Sequence, residues 1–99
     1  MPRGSMCGMK FEWDPQKAES NLRKDGVSFQ EGASVFGDPL SITYLDPDQS
    51  AAEHRFVTVG ISRVRRVLIV AHTDRGDDVR IISVRRTTRR EKRYYEEDK

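Results

Sequence analysis

The pattern of hydrophobic and polar positions predicts a series of strands in the second half of the chain. Alternation with a period of two, which puts successive side chains on opposite faces of a sheet, is clearest in three stretches. These are Arg55–Ile61, residues 67–73 and residues 79–85, and residues 40–45 form a further candidate strand. Short turns around Ser62 and at residues 75–78 separate the last three. Because consecutive strands joined by short turns are usually antiparallel neighbours, we expect a meander.

Residues 79–91 combine a predicted strand with a predicted helix start. The alternation assigns Val79, Ile81 and Ser83 to one face and Arg80, Ile82 and Val84 to the other. Arg85 and Arg86 end the strand, and Thr88 followed by Glu91 is a capping box, which opens a helix of residues 88–97. Guanidinium groups beside a helix N-terminus suit an anionic ligand, although a strand end with solvated arginines has the same pattern.

The first half of the chain predicts a short edge strand at residues 10–13 and two helices. Asp14 before Pro15 starts a helix that runs to about Lys24, and Gly26 suits a left-handed cap. Ala18, Asn21 and Leu22 share one face of that helix. A second capping box at residues 28–31 starts a helix that residues 37–39 end. The predicted fold class is α+β: a short N-terminal strand and a helical hairpin packed on an antiparallel sheet meander, with a C-terminal helix.

Length and composition predict one small domain. Of the 99 residues, 1–8 have the composition of an expression-tag scar, and we assign residues 9–99 to a single domain. A single cysteine, Cys7, excludes an internal disulfide and a thiolate metal cluster. The sequence has neither a long apolar run nor a signal peptide, so we expect a soluble, cytoplasmic protein without a membrane association.

The distribution of charge adds a candidate class of partner. Between Arg63 and Arg93 there are eleven basic and four acidic residues, which gives this segment a charge of +7 within a total of +2. Ten of these eleven basic residues are arginine, which favours bidentate contacts to phosphate or carboxylate groups. The bias therefore suggests nucleic acid or an acidic protein segment as a partner, and it does not choose between them.

Metal and cofactor chemistry have little support in the sequence. His54 and His72 have no second ligand three or four residues away, and we expect His72 to be a partly exposed structural histidine. RNA can be cut without a metal ion, because its own 2′-OH attacks the phosphate. Arginine is a poor general base, so proton transfer would fall to Lys24, His72, a tyrosine or a carboxylate. A lysine that complements the helix dipole is the alternative interpretation of Lys24.

An ordered set of segments resembles the BrnT family of toxins. The segments are FEWDP at 11–15, NLRKDGVSF at 21–29, VFGDP at 35–39, EHR at 53–55, VG at 59–60, RVLIV at 66–70 and RIISVR at 80–85, followed by Glu91 and Tyr95. The resemblance covers about residues 9–95. It implies the toxin of a bacterial type II toxin–antitoxin pair, with a compact fold similar to RelE-type ribonucleases.

The same resemblance implies an activity, a partner and a site. The activity is metal-independent RNA cleavage that stops translation, with no cofactor. The partner is a BrnA-like antitoxin, through which the hetero-oligomeric complex binds promoter DNA. The implied catalytic residues are Lys24, Arg66, Arg85 and Arg80: Arg85 polarises the scissile phosphate, Arg66 holds the RNA backbone and Lys24 transfers a proton. Four further arginines are predicted to bind RNA, namely Arg63, Arg65, Arg86 and Arg89.

One position departs from the family pattern. The family commonly has Lys-His before the glycine that ends the first helix, and this chain has Lys24-Asp25. An aspartate cannot act as an imidazolium and repels phosphate, although it can accept a proton from a 2′-OH or pair with Lys24. The alternative function is therefore a catalytically weak or inactive homologue that binds the antitoxin and co-regulates its own promoter.

Overall fold

The computed structural model describes residues 10–45, 55–75 and 78–97. A five-stranded mixed sheet has the order β1-β5-β4-β3-β2. The strands are β1 (Phe11–Glu12), β2 (Ile42–Leu45), β3 (Arg55–Ile61), β4 (Val67–Arg75) and β5 (Asp78–Arg86). The meander from β2 to β5 is antiparallel as predicted, and β1 is an edge strand that pairs with β5 in parallel. The predicted leader 1–8, the loop 46–50 and His54 lie outside the described residues.

Three helices complete the predicted α+β fold: α1 (Pro15–Asp25), α2 (Phe29–Ser34) and α3 (Arg89–Glu97). The side chain of Asp14 accepts a hydrogen bond from the Gln16 amide at 2.9 Å, and Gly26 ends α1 with a φ of 70°, so both predicted caps of α1 are present. A 3₁₀ turn, Val35–Gly37, follows α2. Within the described ranges, none of the helices has the length and apolarity needed to span a bilayer.

The main core lies between the two N-terminal helices and one face of the sheet. Its fully buried side chains come from the α1–α2 link, α2, the 3₁₀ turn, β4 and β5, and they are Val27, Phe29, Val35, Leu68, Val70, Ile81 and Val84. Burial of this kind contributes about 25 cal/mol per Å² of apolar surface and is the dominant favourable term in folding. Leu22, which was predicted to share a helix face with Asn21, is 51% exposed, whereas Asn21 is 8% exposed.

A bulge in β5 changes the predicted alternation. Ala71 pairs with Ser83, but His72 pairs with Ile81, so Ile82 is an extra residue on β5. As a result Val84 is buried together with Ile81, whereas Ser83 is exposed. The assignment of Ser83 to the face of Val79 and Ile81 was therefore wrong, because a strict period of two does not survive an inserted residue.

The second face of the sheet carries a smaller apolar cluster under α3. Val59 and Ile69 on the sheet pack with Tyr95 of α3, which is buried. The hydroxyl of Tyr95 donates a 2.5 Å hydrogen bond to the Asp38 carboxylate, and the Ile61 amide donates to the same oxygen at 2.9 Å. Burial and this bond raise the pKa of Tyr95 well above its usual range. One carboxylate thus ties α3 to the end of β3.

Candidate active-site cleft at the end of strand β5

The cleft forms where β5 has no neighbouring strand on its outer side. Within the described residues β1 pairs only with Val79 and Arg80 of β5, so α1 lies beside the remainder. Asn21 of α1 takes the place of a strand there. Its Nδ2 donates to the Val84 carbonyl at 2.7 Å and its Oδ1 accepts from the Val84 amide at 3.2 Å. This pair of bonds fixes the last turn of α1 against the end of β5.

Lys24, Asp25 and Arg85 line one cleft as a consequence. The last turn of α1 supplies Lys24 and Asp25, and the end of β5 supplies Arg85. The cleft has a volume of about 340 Å³, and its other lining residues are Lys17, Ser20, Asn21, Ile82, Ser83 and Val84. Two of the four predicted catalytic residues, Lys24 and Arg85, are therefore brought together from positions 61 residues apart, and Asp25 lines the same cleft.

Arg85 is held by a two-pronged ion pair to α3. Its Nη1 and Nη2 donate to the two carboxylate oxygens of Glu91 at 2.9 and 2.8 Å. Glu91 also accepts from the Thr88 amide at 2.8 Å and its own amide donates to the Thr88 hydroxyl at 3.1 Å, so the predicted capping box is present. The hydrogen bond from Arg85 is the largest cause that lowers the pKa of Glu91 to about 2. The guanidinium is thereby oriented before any ligand arrives.

Part of Arg85 still faces solvent. Its hydrogen bonds, including one to the Arg86 carbonyl at 3.3 Å, use three of the five N–H groups of a guanidinium. The bond to Glu91 is the first cause that raises the pKa of Arg85, and the carboxylate of Asp25 acts in the same direction. Arg85 is therefore permanently cationic, with two carboxylates in its surroundings.

Arg66 is bound in a more buried ion pair outside the cleft lining. Its Nε and Nη2 donate to the carboxylate of Glu31 at 3.0 and 2.6 Å, and the Ser62 hydroxyl donates to the same carboxylate at 2.7 Å. The bond from Arg66 is the largest cause that lowers the pKa of Glu31. Glu31 therefore does not close the second capping box from its side chain, although the amide of Glu31 does bond to Ser28 at 3.0 Å. Arg66 reaches the site only indirectly, through the Gly26 carbonyl at 3.5 Å.

The other predicted arginines lie in three places. Arg80 bonds to Glu12 of β1 at 3.1 Å and is not among the cleft-lining residues. Arg86 and Arg89 are exposed and flank the junction of β5 with α3. Arg63 and Arg65 are exposed in the β3–β4 turn, where Arg65 adopts a φ of 71°. Because Leu68 pairs with Arg86, that turn lies at the same end of the sheet as the cleft.

His72 does not contribute to this site. It is buried, not partly exposed as predicted, and its ring lies 4.9 Å from Phe36 and 5.9 Å from Phe56. Its Nε2 is 2.7 Å from the Thr58 hydroxyl, and burial lowers its pKa. Among the described residues, no group of three His, Cys, Asp or Glu side chains is arranged to hold a metal ion.

A second depression lies next to the cleft and was missed in the sequence. It has a volume of about 310 Å³ between α3 and the second sheet face, and it is lined by Ile42, Tyr44, Val59, Ile69, Glu91, Tyr94 and Tyr95. We call it the tyrosine groove. Tyr44 and Tyr94 lie outside the basic segment from Arg63 to Arg93 and far apart in sequence. Only the packing of α3 across the sheet reveals that they share a groove.

Comparisons with known proteins agree with this architecture. Residues 13–91 match the model of a family described as the ribonuclease toxin BrnT of type II toxin–antitoxin systems. Among solved structures, the chain is similar to the Brucella abortus ribonuclease toxin BrnT, with a TM-score of 0.61 and 21% identity. That likeness covers 82% of this chain and 99% of the Brucella chain, and at this identity it bears on the fold alone. A search of the curated proteins found no match.

Proposed function

Because the chain belongs to the BrnT family of ribonuclease toxins of type II toxin–antitoxin systems, we propose that it cuts RNA without a metal ion. The observation that carries the proposal is the cleft around which Lys24, Asp25 and Arg85 lie. In this proposal Arg85 supplies a fixed cation, Lys24 a proton donor and Asp25 a proton acceptor. Those are the groups that cleavage by the substrate's own 2′-OH requires.

In the proposed reaction the phosphodiester binds at Arg85. The 2′-oxygen forms a bond to phosphorus and the bond from phosphorus to the 5′-oxygen breaks, which leaves a 2′,3′-cyclic phosphate and a 5′-hydroxyl. Asp25 accepts the proton of the 2′-OH, and the Lys24 ammonium donates a proton to the departing 5′-oxygen. Arg85 stabilises the negative charge that builds up on the non-bridging oxygens. Its ion pair with Glu91 favours this role, because an oriented guanidinium needs little reorganisation during the reaction.

Substrate binding extends along the basic end of the sheet. Arg86 follows Arg85 in β5, Arg89 begins α3, and Arg63 and Arg65 lie in the turn at the same end, so all four are proposed to bind RNA phosphates. Arg66 supports the end of α1 through Gly26 and is proposed to hold the RNA backbone with the part of its guanidinium that Glu31 does not use. Arg80 is proposed as a more distant contact, because its partner Glu12 holds it beyond the cleft lining.

Membership of the family implies an antitoxin partner. The proposed antitoxin is BrnA-like, covers the basic end of the toxin and carries the complex to promoter DNA. Free toxin is proposed to cut RNA in the cytoplasm and so to inhibit translation.

A second function has support from the carboxylates around Arg85. Glu91 forms a bidentate ion pair with the Arg85 guanidinium, and Asp25 adds a second negative charge at the same cleft. Phosphate has to compete with both. These contacts favour an attenuated toxin that acts mainly as an antitoxin partner and co-regulator of its promoter. The two functions differ in whether the isolated chain cuts RNA.

The decisive experiment is cleavage of total RNA by the purified chain in EDTA. Wild type is compared with Arg85→Ala and with Arg23→Ala, a matched control in which an exposed arginine paired with Glu19 on α1 is removed. We expect cleavage by wild type and the control, and a loss of about 10²-fold or more in Arg85→Ala, because one charge-stabilising donor contributes that much. Wild-type rates in Arg85→Ala with unchanged circular dichroism would refute the site.

Variants of Asp25 decide between the two functions. If Asp25 accepts the 2′-OH proton, Asp25→Asn loses about 10²–10⁴-fold in rate, which is the usual contribution of one general base. If Asp25 attenuates the chain instead, wild type is inactive and Asp25→His gains cleavage. If wild type, Asp25→Asn and Asp25→His all fail to cut RNA but the chain still binds an antitoxin, only the interaction function is supported.

A further inference from the structure

The tyrosine groove is an apolar depression with two exposed aromatic rings. Its floor is formed by Ile42, Val59 and Ile69, a row of side chains on paired strands β2, β3 and β4. Tyr95 closes one side and is 3% exposed, whereas Tyr44 is 48% and Tyr94 72% exposed. Exposed tyrosine rings beside an apolar floor offer a surface that a flat apolar ligand can cover.

The groove begins next to Arg85. Ile69 of its floor is the cross-strand partner of Arg85, and paired residues of antiparallel strands have Cα atoms about 4.5–5.5 Å apart. Glu91, which lines the wall of the groove, forms the bidentate ion pair with Arg85. Tyr44 lines the same groove as Ile69 and Glu91. When a phosphate is bound at Arg85, the adjacent nucleotide can therefore reach the groove.

We propose that the tyrosine groove binds the nucleobase next to the phosphate held by Arg85, with the base stacked on Tyr94 and Tyr44. This inference rests on the proposed function for the presence of RNA at Arg85. Every base has a π-face, and stacking on an aromatic side chain contributes about 1–3 kcal/mol per base with little sequence preference. The basic segment from Arg63 to Arg93 contains no phenylalanine, tyrosine or tryptophan, and Tyr94 of α3 and Tyr44 of β2 supply aromatic rings from outside it.

The surroundings favour a nucleotide over an apolar segment of a protein. The rim of the groove meets Arg85, and Arg86 and Arg89 follow at the same junction of β5 with α3, so the groove opens onto positive charge. A ligand that is flat and apolar in one part and anionic in the next satisfies both surfaces. A nucleotide has this chemistry, and the two tyrosines offer ring faces to it without a large loss of side-chain entropy.

The test separates binding from cleavage. A short single-stranded RNA in which every 2′-oxygen is methylated cannot be cut by the proposed mechanism, and 2-aminopurine in place of one base reports stacking through quenching of its fluorescence. We expect wild type to bind and quench, Tyr94→Ala to bind about tenfold more weakly without quenching, and Tyr94→Phe to bind within twofold of wild type, because the ring is what stacks. Leu40→Ala, which removes an exposed apolar side chain outside the groove, is the control and should leave binding unchanged.

The outcomes distinguish a failure of this inference from a failure of the proposed activity. Tyr94-dependent binding and quenching by a chain that cuts no RNA would support the groove and overturn the ribonuclease. RNA cleavage with wild-type KM and binding in both Tyr94→Ala and Tyr44→Ala would overturn the groove and leave the ribonuclease. Absence of binding to the methylated RNA by wild type, or loss of binding only to an antitoxin segment in Tyr94→Ala, would also overturn the inference.

Discussion

Arg85 and Arg66 each form a bidentate ion pair with a glutamate, yet their surroundings give the two pairs different roles. The Glu31 side chain is 9% exposed and also bonds to Ser62, whereas the Glu91 side chain is 36% exposed. Removal of Arg66, whose own side chain is 35% exposed, would leave the nearly buried Glu31 carboxylate without its cation, which is costly. A half-exposed pair is screened and contributes about 1 kcal/mol or less. Arg66–Glu31 is therefore suited to holding the fold, and Arg85–Glu91 to exchanging part of its contact with a phosphate.

His72 gives a prediction at the scale of one residue. Burial lowers the pKa of its ring in the folded state, while the unfolded chain keeps a pKa near 6.5. The unfolded state therefore binds the proton first as pH falls, so the stability is full above pH 6.5 and decreases below it, by at most about 1.4 kcal/mol per pH unit. The nearby Asp74 charge opposes this effect in part.

The measurement is the free energy of unfolding by urea at pH 7.5, 6.5 and 5.5. His72→Gln retains an amide toward Thr58 but cannot titrate near neutral pH, so we expect its decrease from pH 7.5 to 5.5 to be smaller than that of wild type. Equal decreases in the two proteins would mean that His72 does not control stability in this range.

At the scale of elements, the site depends on how α1 meets β5. The bulge at Ile82 turns Val84 into the core, and Asn21 then satisfies both polar backbone groups of Val84. Asn21 also donates to the Val27 carbonyl at 3.1 Å, so one amide joins α1, the α1–α2 link and β5. Lys24 and Asp25 are one turn further along α1, and this joint sets their position relative to Arg85.

We expect Asn21→Ala to affect stability and cleavage together. The variant leaves the buried amide and carbonyl of Val84 without the Asn21 side chain, and a buried polar group without a partner costs about 1–3 kcal/mol. Urea unfolding should show a loss in that range, and the rate of RNA cleavage should fall further than the loss of folded protein explains. Leu22→Ala, at the neighbouring exposed position, should change stability by less than about 0.5 kcal/mol. Similar behaviour of the two variants would contradict the role of Asn21.

At the scale of the whole molecule, one end of the sheet concentrates positive charge. The β3–β4 turn brings Arg63 and Arg65 to the end where β5 terminates, although about twenty residues separate them from Arg86. Arg65 occupies the left-handed region with a φ of 71°, which costs a non-glycine residue about 1–2 kcal/mol. A glycine would relieve that strain, so the cationic side chain at this turn is consistent with a binding role.

The salt dependence of RNA binding tests this charged end. For single strands, log K falls with log salt by about 0.7 per phosphate neutralised. We expect the double variant Arg63→Ala with Arg65→Ala to reduce that slope by about 1.4, measured with the methylated RNA between 50 and 200 mM salt. Arg23→Ala should leave the slope unchanged, because Arg23 lies on α1 and pairs with Glu19. A slope that is the same in all three proteins would place RNA elsewhere.

Short-range patterns in the sequence were enough to predict the helices and strands of this protein. The Asp14-Pro15 start and Gly26 end of α1 and the Thr88–Glu91 box of α3 follow from contacts between residues close in the chain, so short-range rules predict them. Alternation also located the five strands, although only the bounds of β3 match the prediction at both ends. The family resemblance likewise depends on an ordered set of short segments, and the match over residues 13–91 confirms it.

Only the tertiary structure decided what lies beside Arg85. An inserted residue at Ile82 is invisible to a period of two, so the face of Val84 could not be predicted. The pairing of Glu31 with Arg66, the burial of His72 and the meeting of Tyr44 with Tyr94 join residues from separate elements, and no local pattern encodes such distances. The sequence by itself determined the helices, strands and charge of this protein, because these arise locally, and packing decided which arginine, carboxylate and aromatic ring share a site.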